Sequence, residues 1–84
     1  MERPVKKDGL EIHQVDSQFV IYEAGSDVVH YLNPTAALVL DFCDGGHDAA
    51  AIAAGVQEAY GLPAPPLKEV CDCLATLQTL KLVS

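Results

Sequence analysis

The sequence predicts an α+β domain: a three-stranded antiparallel sheet followed by three helices, winged helix-turn-helix-like in its order. Three observations carry this. Residues 10–32 hold three short runs rich in β-branched and aromatic residues, parted by turn formers. From Asn33-Pro34 onward the apolar residues recur three or four apart, the spacing of one helix face. Glycine and proline then cut that helical half at Gly45-Gly46 and again between Gly61 and Pro66.

The elements follow in chain order. "LEIHQV", Leu10–Val15, alternates apolar and polar residues, as a half-buried strand does. Asp16 and Ser17 form a turn. "FVIYEA", residues 19–24, is the second strand, residues 25–27 the next turn, and "VVHYL", residues 28–32, the third strand. Turns this short favour an antiparallel meander. The preceding residues, "MERPVKKDG", are polar and carry Pro4 and two lysines. They read as a flexible N-terminus over 1–9, with 10–84 a single domain.

Asn33 suits a helix N-cap and Pro34 the first helical position, where the missing N–H costs nothing. Leu38, Val39 and Phe42 give the first helix its apolar face, and Gly45-Gly46 stop it. Asp48 caps a second helix with Ile52, Val56 and Tyr60 on one face. Gly55 lowers its helix propensity by about 1 kcal/mol, which points to close packing there. Gly61 ends this helix, and "LPAPP" is a stiff connector. The third helix presents Leu67, Val70, Leu74 and Leu77 and reaches about Leu80, before a short extended "KLV".

The totals bound the function. Twelve acids against five bases give 84 residues a net charge of −7. Phosphate backbones attract Lys and Arg, so nucleic acid is a poor partner. No apolar run approaches the roughly 18–20 residues of a membrane span, and no apolar stretch follows the N-terminal charges. The expectation is a cytoplasmic protein with no membrane partner. Three cysteines, an odd number, fit a reducing compartment.

Chemical candidates are few. Cys71 and Cys73 lie about 200° apart around a helix, so they do not converge on a metal; buried thiols behave as small hydrophobes. His13, His30 and His47 show no ligand spacing. His47 lies near Asp44, Asp48 and Cys43, but Cys43 falls at the end of a packed helix. There is no Walker or dinucleotide loop. The reading is no enzyme, no catalytic residue, no metal and no cofactor. What remains is the last strand, whose residues 28–32 carry no charge to block pairing. An open sheet edge beside a helix is a liability or a docking site for an extended peptide.

At this point "YLNPTAALVLDFCDGGHDAAAIAAGVQEAYG" resembles the PqqD-like family, the precursor peptide recognition element of ribosomally synthesised and post-translationally modified peptides (RiPPs). The resemblance rests on Leu32, Asn33, Ala36, Ala37, Leu40, Cys43, Asp44, Gly45, Ile52 and Ala53, then on Val70, Leu74 and Leu77. It implies binding of a precursor's leader region by strand addition to the third strand, and presentation to a modifying enzyme such as a radical SAM protein or a leader peptidase. It places Asp27, Val28, Val29, His30, Tyr31 and Leu32 on the strand side. On the helix side it implies Leu67, Cys71, Leu74, Ala75 and Gln78, since Cys73, Leu77 and Leu80 make the other flank more apolar and inward-facing. The alternative is a winged-helix DNA-binding regulator, which needs a basic recognition helix; residues 67–80 carry Lys68 against Glu69 and Asp72. A vacant edge also admits a second copy, hence a homodimer.

Overall fold

The structure is a computed structural model that describes residues 3–25 and 27–83; the expected turn at 25–27 passes through Ser26, outside them. Strands β1 (Leu10–Val15), β2 (Gln18–Glu23) and β3 (Val29–Leu32) form an antiparallel sheet in the order β1-β2-β3. Asp16 makes the tight first turn at φ 55°, a left-handed conformation that Asp tolerates better than most residues. The sheet is followed by helices α1 (Pro34–Asp41), α2 (Ala49–Tyr60) and α3 (Leu67–Thr79). This is the expected α+β order, with β3 beginning one residue later than anticipated.

Pairing fixes the faces. Ile12 sits opposite Ile21, Ile21 opposite His30, and Phe19 opposite Leu32. With side chains alternating along each strand, these residues share one face. Ile21 and Leu32 on that face join Val39, Leu40, Ile52, Val56, Val70, Leu74 and Leu77 in one core. The opposite face leaves Val15, Tyr22 and Tyr31 exposed.

The helix starts form as their sequences dictate. Asn33 Oδ1 accepts from the Ala36 N–H at 2.8 Å, with Pro34 at the first helical position. Asp48 Oδ1 accepts from the Ala51 N–H at 2.8 Å. Each cap satisfies a helix-start donor that the helix itself leaves unpaired. Gly61 closes α2 at φ 63°, where a Cβ is strained. The start of α3 at Pro66 has no side-chain cap bond.

The N-terminal segment departs from the flexible arm read from its composition. Pro4 is buried. The Lys6 N–H donates to the Cys43 carbonyl at 2.6 Å and the Lys7 N–H to the Leu82 carbonyl at 2.8 Å. The Gly45 N–H donates back to the Pro4 carbonyl at 3.1 Å. Residues 4–7 therefore stitch the end of α1 to the C-terminal Leu82 and Val83, both buried. Backbone groups and the buried Pro4 together supply the attachment. Among the described residues no helix is long and apolar enough to cross a membrane.

Candidate functional site

The sheet order puts β3 at an edge: among the described residues it pairs with β2 and with no strand on its other side. No Cα of β3 lies within 8 Å of a Cα of α3. Helix α1 packs on both. At the end of β3 this leaves a hollow of about 380 Å³. Asn33, Thr35 and Ala36 form one wall; Glu69, Asp72, Cys73 and Thr76 form the other.

On the strand side, Asp27, Val28 and Tyr31 are exposed, Val29 and His30 half-buried and Leu32 buried. Among the described residues Tyr31 is the most exposed large hydrophobic side chain, at 70%. His30 faces inward instead: its Nε2 lies 3.0 Å from Glu23 Oε2, while Lys7 Nζ donates to the other oxygen of the same carboxylate. Those two hydrogen bonds, that of Lys7 first, hold the Glu23 carboxyl below its ordinary range.

On the helix side the structure separates the expected residues. Leu74 is in the core. Leu67, Cys71, Ala75 and Gln78 are exposed and do not line the hollow. The wall instead uses positions 69, 72, 73 and 76, neighbours three and four apart on one helical stripe. Cys73 does turn partly inward, as its apolar character implied, but Asp72 and Thr76 flank it at the rim. The legible signal was this polar-edged stripe beside a small residue; which flank meets α1 depends on the rotation of α3, which periodicity leaves open.

The thiols and histidines form no relay. Cys43 is 1% exposed, and its Sγ donates to the Val39 carbonyl at 3.2 Å. Burial pushes this thiol up to about 11, so it stays protonated near neutrality. His47 Nδ1 lies 2.9 Å from Asp44 Oδ1 and 3.2 Å from the Phe42 carbonyl, which fastens the α1–α2 loop. The Gly46 N–H, and then His47, hold Asp44 below the usual carboxylate range. Among the described residues no three His, Cys, Asp or Glu side chains gather as a metal site would require.

The fold is that of a small α+β domain with an open sheet edge above a shallow, polar-rimmed hollow. The chain belongs to the PqqD family: the family model for coenzyme PQQ synthesis protein D (PqqD) matches residues 18–83, most of the chain. This is the RiPP recognition element family, whose members are non-catalytic accessory or recognition proteins. Membership supports a role in the biosynthesis of PQQ or other RiPPs, and partnership with a precursor peptide and a modifying enzyme. Neither the curated proteins nor the solved structures compared gave a match.

Proposed function

We propose that the chain captures the leader region of a ribosomally made precursor peptide by adding it as a strand to β3, and presents it to a modifying enzyme. The carrying observation is the position of β3 at the sheet edge, with α3 set back across a hollow. Main-chain hydrogen bonding gives such an edge affinity for any extended segment, and the side chains around it choose among segments. Tyr31, exposed on the outer face, and Cys73 and Thr76 across the hollow are the selecting groups. Ordering a flexible leader subtracts from the contact energy, so the expected binding is micromolar to sub-micromolar, about −8 to −10 kcal/mol.

The test uses two proline variants, Val29→Pro and His30→Pro. Successive strand residues aim their N–H groups to opposite sides, so one of the two points away from β2. Proline there removes an outward donor and leaves the sheet intact. Circular dichroism identifies the folded variant, and titration with the leader of a candidate precursor reads binding. Loss of binding in the folded variant supports strand addition; full-strength binding there rules it out.

A further inference from the structure

The hollow at the end of β3 is one half of a longer trough. Thr35 and Glu69 line it, and they also line a second hollow of about 430 Å³, bounded by Val56, Tyr60, Leu62 and Pro66. Glu69 thus stands at the junction of a compartment rimmed by Asn33, Asp72 and Thr76 and one lined by Val56, Tyr60, Leu62 and Pro66. The charges nearest it on α3 are unevenly matched. Lys68 Nζ is 3.0 Å from Asp72 Oδ2, so the one cation of the helix is engaged with Asp72. Glu69 feels the same cation at longer range, and among the described residues makes no direct ion pair or side-chain hydrogen bond of its own. Beyond it, Tyr60 and Leu62 remain 48% and 37% exposed, apolar surface that a single chain leaves wet.

From this arrangement we infer that the trough selects a peptide carrying a basic residue beside a large apolar one, with the base at Glu69 and the apolar side chain against Tyr60, Leu62 and Pro66. The inference rests on the proposed leader-binding reading and adds the chemistry by which one leader is preferred. The occupant is a peptide on grounds of continuity: the trough begins where β3 ends, so a segment leaving the sheet edge enters it. Charge sets the sign of the preference: Glu69 and Asp72 share the single cation Lys68, and in a chain of net charge −7 such a wall favours cations and repels anions. The apolar compartment sets the size, because only a side chain such as Leu or Phe covers the ring and pyrrolidine surfaces there.

The experiment uses fluorescein-labelled, capped nine-residue peptides on an alternating Val/Ser background, carrying Lys-Leu, Gln-Leu, Glu-Leu or Lys-Ser at each central position. Binding to the full chain is followed by anisotropy. The expected order is Lys-Leu tightest and Glu-Leu weakest. Glu69→Lys, a change at an exposed site, reverses the Lys/Glu ranking by about fivefold, the scale of a partly exposed ion pair turned repulsive. Tyr60→Ala erases the Leu-over-Ser preference, and Glu58→Lys, elsewhere on the surface, leaves both preferences in place. Peptides that bind without a charge ranking, or whose ranking survives Glu69→Lys, overturn the inference and leave strand addition standing. If no peptide binds the native chain, the leader-binding reading and this inference both fall.

Discussion

The ring of Phe42 lies against the backbone of Gly55: a Cβ built on Gly55 would come within 2.6 Å of Phe42 Cζ and 3.0 Å of the adjacent ring carbons. That approach locks the end of α1 onto the middle of α2. It explains why α2 tolerates a residue that costs about 1 kcal/mol of helix propensity. Gly55→Ala regains the propensity but forces the ring away, and overpacking of this kind costs about 1–3 kcal/mol. The net expectation is a loss of about 1 kcal/mol and a melting midpoint lower by about 4–8 °C. A midpoint that stays level or rises would mean that the ring yields freely.

The two capped helices predict a matched pair of losses. Asn33→Ala and Asp48→Ala each strand an N–H group, of Ala36 and Ala51 respectively, and each costs about 1 kcal/mol in urea unfolding. Asp48→Asn keeps the acceptor and stays within a few tenths of the native value. If Asp48→Asn fell as far as Asp48→Ala, charge rather than the hydrogen bond would be holding the cap.

How much of this was legible depends on the range of the forces involved. The strands, the Asn33-Pro34 switch and the caps are local, and a few residues encode each of them. Gly55 announced a close approach, though not that Phe42 makes it. Two features stayed hidden. The seating of residues 4–7 is made by backbone bonds to Cys43 and Leu82, by the buried Pro4 and by the Lys7–Glu23 ion pair, all to partners distant in sequence. The choice of Glu69, Asp72, Cys73 and Thr76 over Cys71, Ala75 and Gln78 as the wall of the hollow follows from how α3 rolls against α1. An amphipathic pattern fixes the buried stripe at Val70, Leu74 and Leu77, and Cys73 and Leu80 mark its more inward flank, but the pattern does not say which flank meets α1.

Acid should loosen the N-terminal attachment. Glu23 is held below its ordinary value of 4.5, first by Lys7 and then by His30. A depressed carboxyl contributes stability that is present above 4.5 and lost as the pH falls through its lower, folded-state value. Asp44, depressed from 3.8 by the Gly46 N–H and then His47, acts in the same direction, its contribution present above 3.8 and lost on further acidification. The urea midpoint is therefore expected to hold from neutrality to about pH 5 and to fall below that. Glu23→Gln removes part of the decline, leaving the share of Asp44. An undiminished decline in Glu23→Gln would show that the cluster of Lys7, Glu23 and His30 adds nothing to folding.

The thiols report on the hollow itself. Cys71 is exposed on the outward flank of α3, Cys73 is half-buried in the wall, and Cys43 is buried. Burial raises the Cys73 thiol, and raises that of Cys43 to about 11. Since the thiolate is the reacting form, modification by a disulfide reagent at pH 8 should proceed in three phases. Cys71 reacts first, Cys73 more slowly, and Cys43 only on the timescale of unfolding. Cys71→Ser removes the fast phase and Cys73→Ser the intermediate one. A leader peptide seated between β3 and α3 covers Cys73 and leaves Cys71 open. Binding should then slow the intermediate phase at least severalfold while the fast phase keeps its rate. Protection of Cys71 instead would move the peptide to the flank of Ala75 and Gln78, and would make the hollow beside Asn33 a bystander.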